Sequence, residues 1–111
     1  MKAVIYARFS SDKQNEASIE GQLRECMDYA ERTGITVIGN YIDRALSART
    51  DNRPEFRRMI KDSAKGCFDV VLVWKLDRFA RTAIEGVQTV RELFDRGIRV
   101  HILNMGLIED T

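Results

Sequence analysis

The sequence predicts an α/β fold in three layers, with helices on both faces of a mostly parallel sheet of four to five strands. Two features carry this prediction. Short β-branched apolar runs alternate along the chain with amphipathic segments of helical period. The clearest run, at 69–74 (DVVLVW), is apolar over nearly its whole length, as in strands that are buried on both faces. Strands that alternate with helices favour a parallel sheet with right-handed crossovers.

The first third of the chain reads as strand, helix, strand. An apolar run at 3–7 (AVIYA) predicts the first strand. A helix is predicted over 18–33, with Ser18 as its N-cap and Gly34 as its stop. Its apolar stripe consists of Ile19, Leu23, Cys26, Met27 and Ala30. The β-branched run at 35–42 predicts the second strand.

The rest of the chain repeats the alternation. Pro54 suits the first position of a short helix that carries Phe56, Met59 and Ile60 and ends at Gly66. The strand at 69–74 precedes a helix over about 82–96, which is stopped by Gly97. One side of this helix is expected to carry Ile84, Val87, Val90, Leu93 and Phe94. Residues 98–103 form the last predicted strand.

Composition excludes several classes of protein. The chain has 111 residues and a net charge of +1, which fits one small globular domain. No apolar run reaches the ~20 residues of a membrane span, and residues 1–8 do not resemble a secretory signal. Cys26 and Cys67 form neither a disulfide framework nor a metal motif. They are expected to be small apolar residues of a cytoplasmic protein that needs no metal.

Polar side chains follow the predicted strands, at the edge where ligands bind in parallel sheets. Arg8 and Ser10 follow the first strand, and Asp43 follows the second. Asp77, Arg78 and Arg81 follow the third. This edge therefore combines a serine hydroxyl with several guanidiniums, which can stabilise charge on the oxygens of a phosphate.

Other site classes fit less well. The chain has no P-loop and no glycine-rich dinucleotide motif after the first strand. His101 lies inside a predicted strand, where a structural role is favoured over that of a general base. Residues 44–61 hold six cations and two anions, a local charge of +4. That stretch is either a solvated basic face or a polyanion-binding surface.

Three blocks of the sequence resemble the serine site-specific recombinases, the family of resolvases, invertases and large serine integrases. The first is YARFSSDKQ at 6–14 followed by SIEGQ at 18–22, and the third is VLVWKLDRFAR at 71–81. The second consists of Asp43, Ser47 and Arg53 followed by Pro54. The three blocks occur in order at compatible spacing and cover essentially the whole chain. The spacing before Ser18 resembles that of large serine recombinases and transposon recombinases.

The resemblance implies a resolvase-like catalytic fold and a site-specific DNA recombinase that acts without a cofactor or metal. Ser10 would attack a DNA phosphodiester, release a 3′-hydroxyl and form a 5′-phosphoserine link. Arg8, Arg78 and Arg81 would surround the phosphate, with Asp77 orienting the guanidiniums. The resemblance also implies a supporting shell that consists of Gln14, Gln22, Asp43, Ser47 and Arg53. Within this shell, Arg53 is a further candidate for contact with the phosphate. DNA and further copies of the chain, as dimer and tetramer, would be the partners.

Two departures from the family pattern qualify this expectation. Ala48 stands where family members usually carry glycine after the serine of the second block, so the loop there is expected to differ in shape. The chain ends at Thr111, where the family's long oligomerisation helix and DNA-binding domain would follow. Residues 1–111 are thus expected to be a truncated catalytic domain with weak or no recombination activity alone. A non-catalytic nucleic-acid or polyanion-binding module and a flavodoxin-like ligand binder are the alternatives.

Overall fold

The computed structural model describes residues 1–9, 19–44, 53–75 and 83–104. Within them, four strands alternate with three helices, as the hydrophobic pattern predicts. The strands are β1 (Lys2–Phe9), β2 (Thr36–Arg44), β3 (Val70–Lys75) and β4 (Arg99–Asn104). The helices are α1 (Ile19–Thr33), α2 (Pro54–Ser63) and α3 (Ala83–Asp95). Each predicted strand differs from the observed strand by one or two residues at its ends. The predicted N-cap of α1, Ser18, lies outside the described residues.

The four strands form one parallel sheet in the order β2-β1-β3-β4. The two central strands, β1 and β3, are buried on both faces, and Val70 through Val73 are inaccessible to solvent. This burial accounts for the continuous apolar runs that identified these strands in the sequence. The predicted parallel α/β sheet is therefore confirmed.

Helices cover both faces of the sheet and complete the three layers. On one face, α1 packs through Cys26 and Ala30 against Ile5 and Leu72. The other face carries α2 and α3, whose Met59 and Leu93 belong to a second apolar cluster. No helix among the described residues is long and apolar enough to span a membrane.

Helices α1 and α3 end in the same way, at glycines with left-handed backbone. Gly34 has φ 78° and Gly97 has φ 83°. The amides of the isoleucines that follow, Ile35 and Ile98, each donate to a carbonyl five residues back at 2.9 Å. This is the Schellman arrangement, in which glycine avoids the Cβ clash of a positive φ. The predicted glycine stops of these helices are confirmed.

The predicted apolar side of α3 is wrong in part. Val90 and Leu93 face the core, but Ile84, Val87 and Phe94 are 70%, 63% and 62% exposed. A helix turns by about 100° per residue, so Leu93 lies about half a turn from Ile84. A stripe that includes both residues is too wide for one face to bury.

Two further expectations about burial are also corrected. Met27 of α1 is half-exposed, because the buried row of this helix is Gln22, Cys26 and Ala30, and Met27 lies about 100° around the helix from Cys26. Cys26 is buried as expected, but Cys67 is exposed in the turn before β3. Both cysteines are free thiols.

Candidate active site

Two of the predicted site residues are neighbours at the carboxyl ends of β1 and β2. Arg8 pairs in register with Asp43 in the parallel β1–β2 ladder. Residues paired in this way project to the same face of the sheet. Arg8 is partly buried and Asp43 is buried. The expectation that Arg8 and Asp43 meet at one edge of the sheet is therefore confirmed.

Asp43 anchors the start of α2. Its Oδ1 accepts a hydrogen bond from the Glu55 amide at 2.9 Å, and its Oδ2 accepts one from the Phe56 amide at 3.0 Å. These are the second and third residues of a helix that begins with Pro54, and their amides have no partner within the helix. Arg53, at the N-cap position, makes no side-chain cap. Asp43 supplies from β2 the oxygens that a serine or aspartate N-cap usually provides.

Tyr6 joins the same carboxylate from β1. Its hydroxyl donates to Asp43 Oδ2 at 2.8 Å. Burial raises the pKa of the Tyr6 phenol far above its ordinary value, and the hydrogen bond and negative charge of Asp43 raise it further. The guanidiniums of Arg53 and Arg8 oppose this shift in pKa, which shows that both act on the same phenol. Tyr6 is thus a neutral donor at the centre of the predicted site.

Arg53 lies at the start of α2 with its guanidinium turned inward. Its side chain is 8% exposed, and Nη2 lies 2.9 Å from Glu85 Oε2 in the first turn of α3. The guanidinium carbon lies 4.0 Å from the centre of the Phe56 ring, at cation–π distance. Phe56 in turn packs edge-on against Tyr6 at 5.2 Å between ring centroids. A buried cation is tolerated here because a carboxylate and an aromatic ring face it.

Gln22 approaches the same strand end from the opposite layer. It is fully buried on α1, and its Nε2 donates to the carbonyl oxygen of Arg8 at 3.2 Å. The backbone of β1 is thereby held to α1 two residues before Ser10. Gln22 was predicted as a supporting residue of the site, and the contact that the described residues show for it is with the backbone at Arg8.

Six of the ten predicted site residues lie outside the described residues. They are Ser10, Gln14, Ser47, Asp77, Arg78 and Arg81. The four that the structure describes occupy one end of the sheet. Arg8, Asp43 and Arg53 lie around Tyr6, and Gln22 holds the backbone at Arg8. The assignment of catalytic and supporting roles therefore stays a prediction.

Sequence reasoning missed two members of this cluster. Tyr6 brings a hydroxyl into the otherwise apolar run AVIYA, and this isolated polar group was the available signal. Glu85 is the acidic residue in the first turn of α3, where a carboxylate complements the helix dipole in any case. Nothing in the sequence distinguishes that general role from a contact with Arg53, which is 32 residues away.

The basic stretch at 44–61 does not form one solvated face. Arg53 is buried against Glu85. Arg58 lies 2.5 Å from Glu55 and 3.7 Å from Asp62, and its guanidinium covers the Tyr41 ring at 4.5 Å. Glu85 and Asp62 lie outside the stretch and are not counted in its charge of +4, so that charge overstates what its described residues offer to a polyanion.

The remaining titratable groups show no metal site. Within residues 1–9, 19–44, 53–75 and 83–104, no three His, Cys, Asp or Glu side chains are grouped as ligands. His101 lies in β4 with Nδ1 3.0 Å from the Tyr29 hydroxyl of α1. Its position as a strand residue that packs against a helix agrees with the structural role expected for it.

Comparison with known proteins places this arrangement in a family. Residues 3–111 match the family described as Resolvase, N terminal domain. The transposon Tn2501 resolvase of Escherichia coli is 33% identical over 115 residues, covering 99% of this chain and 54% of that protein. The chain spans about half the length, or less, of the curated relatives it matches.

Solved structures agree with the sequence match. The N-terminal catalytic domain of TP901-1 integrase has a TM-score of 0.83 and 33% identity, over 94% of this chain and 79% of that one. A resolvase family site-specific recombinase from Streptococcus pneumoniae has a TM-score of 0.82 and 31% identity, over 93% and 72% of the two chains. The chain therefore belongs to the resolvase N-terminal domain family, that of the serine site-specific recombinases.

Proposed function

We propose that this chain is the catalytic domain of a site-specific DNA recombinase whose nucleophile is Ser10. The Ser10 Oγ attacks a backbone phosphorus and loses its proton, and the bond from phosphorus to the 3′-oxygen breaks. The products are a 5′-phosphoserine link and a free 3′-hydroxyl. Attack by a 3′-hydroxyl on this link restores a phosphodiester and returns the proton to Ser10. Each step exchanges one ester for another, so no external energy source is required.

The observation that carries this proposal is the arrangement at the end of β1. Arg8 lies beside Asp43, its backbone is held by Gln22, and Ser10 follows two residues later. A nucleophile needs such a fixed attachment, because phosphoryl transfer depends mainly on positioning and on stabilisation of charge. Arg8, Arg78 and Arg81 stabilise the charge on the phosphate oxygens, and Asp77 orients their guanidiniums. Gln14, Asp43, Ser47 and Arg53 support the site.

Partners and location follow from a DNA substrate. Exchange of strands between two sites needs more than one active site, so we propose that the full-length protein acts as a dimer and a tetramer on DNA. The chain would work where its DNA substrate lies, which we propose is the cytoplasm. Residues 1–111 alone would recombine DNA weakly or not at all, as the catalytic part of a longer recombinase.

Covalent trapping tests the proposal. The longest form of the chain that its reading frame encodes is incubated with nicked duplexes tiled across the DNA on either side of its gene. A nick lets the cleaved end diffuse away, so the phosphoserine adduct accumulates and runs as a shifted band on a denaturing gel. The wild type and Ser11→Ala should form the adduct, and Ser10→Ala should form none. Equal adduct from Ser10→Ala would refute the proposal.

The non-catalytic polyanion-binding module makes a different prediction in the same assay. Binding would weaken steeply with salt, no covalent adduct would form, and Ser10→Ala would behave as wild type. The paired state of Arg53 and Arg58 gives this alternative less support than the composition alone does.

A further inference from the structure

Glu85 connects two parts of the proposed site that are distant in sequence. It lies in the first turn of α3, four residues after Arg81. Its Oε2 meets Arg53 Nη2 at 2.9 Å, at the start of α2. The N-terminal ends of α2 and α3 are therefore joined by this ion pair.

The ion pair with Glu85 is one of the contacts that confine the buried guanidinium of Arg53. Arg53 is buried over the Phe56 ring, and its backbone carbonyl is fixed by the Arg57 amide at 3.1 Å. An aromatic face attracts a guanidinium but does not set its rotation in the plane, whereas a carboxylate oxygen does so through a directional hydrogen bond. Glu85 is 38% exposed, so the ion pair buries its carboxylate only in part.

A second ion pair on α3 provides the contrast. Glu92 Oε2 lies 3.1 Å from Arg96 Nη2, four residues along the chain. Arg96 also donates to the Ile60 carbonyl at 2.9 Å, near the C-terminal end of α2. That pair stabilises packing near the end of α2, whereas the Glu85 pair lies near Tyr6, since Arg53 stacks on the Phe56 ring and Phe56 packs against Tyr6.

We propose that Glu85 is a positioning residue for the phosphoryl transfer, acting through the guanidinium of Arg53. The inference rests on the proposed function and extends it to a residue outside the three motifs. Glu85 holds Arg53 in the orientation that the reaction requires. Loss of the carboxylate should slow cleavage of bound DNA and leave binding of DNA nearly unchanged.

A double-mutant cycle tests this mechanism with the same nicked duplexes. Glu85→Gln keeps the size and one acceptor oxygen but removes the charge. We expect the rate of adduct formation on saturating DNA to fall at least about tenfold, with affinity changed by less than about twofold. Glu85→Asp should recover part of that rate. In an Arg53→Lys background, Glu85→Gln should cause almost no further loss, because residues that act through one another are not additive.

Glu92→Gln is the matched control, since it removes the same charge from the same helix. It should change the rate by less than about twofold. Thermal melting of every variant separates loss of fold from loss of rate. If Glu85→Gln melts below the assay temperature, Glu85→Asp is used in its place. We then expect Glu85→Asp to lower the rate of adduct formation about threefold, and to cause no such loss in the Arg53→Lys background.

The outcomes separate the inference from the proposed function. No adduct with the wild type would overturn both. Adduct with the wild type and an equal rate for Glu85→Gln would overturn the positioning role alone. A loss that persists in full in the Arg53→Lys background would also overturn it, because Glu85 would then act independently of Arg53.

Discussion

Replacing Asp43 by asparagine is expected to destabilise the fold strongly, although the two side chains have almost the same shape. Asp43 is 5% exposed and accepts three hydrogen bonds. The donors are the Tyr6 hydroxyl at 2.8 Å and the amides of Glu55 and Phe56 at 2.9 and 3.0 Å. Asparagine has one acceptor oxygen, so its amide nitrogen must face at least one of these donors.

The magnitude follows from the bonds that are lost. A hydrogen bond to a charged group contributes about 1.5–3 kcal/mol, and one such bond is replaced by a contact between two donors. The carboxylate also lies at the N-terminus of α2, where a negative charge contributes about 0.3–1 kcal/mol, or more when partly buried. We expect a loss of about 2–4 kcal/mol in the free energy of unfolding, a large share of the ~5–15 kcal/mol of a typical domain.

Urea unfolding followed by circular dichroism measures this loss. Tyr6→Phe removes one of the three donors, whose bond is to a charged group, and should cost about 1.5–3 kcal/mol. Asp69→Asn is the control, because Asp69 accepts the Lys2 amide at 2.9 Å on the exposed surface. Its effect should stay within about 0.5 kcal/mol. A loss for Asp43→Asn no greater than that of the control would show that the carboxylate does not anchor α2.

Three further predictions concern the core and the two thiols. Leu93→Ala should cost about 3 kcal/mol in urea unfolding, and Phe94→Ala, at an exposed position, less than about 0.5; equal costs would contradict the assigned face of α3. Cys67 should react with a thiol reagent in the native protein, whereas Cys26, which is buried and whose pKa is raised to about 12, should react only after denaturant is added. Stability should be level between about pH 6 and pH 8 and should fall above pH 8, because the unfolded chain releases the Cys26 thiol proton near pH ~8.5 and the fold retains it. In Cys26→Ala, the fall in stability should begin only at about pH 10, where Tyr6 begins to contribute because its pKa is also raised in the fold. An unchanged onset would refute the assignment of the fall at about pH 8 to the buried Cys26 thiol.

The fold was predictable because its signals are local. The apolar runs of β1 and β3 reflect burial on both faces, and the glycines after α1 and α3 reflect a left-handed backbone angle. The same local signals failed where burial depends on a neighbour. Phe94 of α3 and Met27 of α1 are apolar and in helical register, yet both are exposed. Whether a flank of a helix is covered depends on what packs beside it, which periodicity does not report.

The candidate site was predictable in its position and only partly in its contacts. Parallel strands bring their carboxyl ends to one edge, so Arg8 and Asp43 were expected to be neighbours, and they pair in register. The buried state of Arg53 was not expected, because a cation in a basic stretch ordinarily faces solvent. Its partner Glu85 belongs to another helix. The ring that the Arg53 guanidinium covers, Phe56, packs in turn against Tyr6 of β1.

The amino-acid sequence by itself determined the order of strands and helices, the sheet edge at which Arg8 and Asp43 meet and the family to which the chain belongs. Each of these depends on residue type and on spacing along the chain. Only the tertiary structure decided that Asp43 caps α2, that Gln22 holds the backbone at Arg8 and that Glu85 meets Arg53. These contacts join residues between 12 and 32 positions apart, and such pairs meet only after the helices have packed on the sheet.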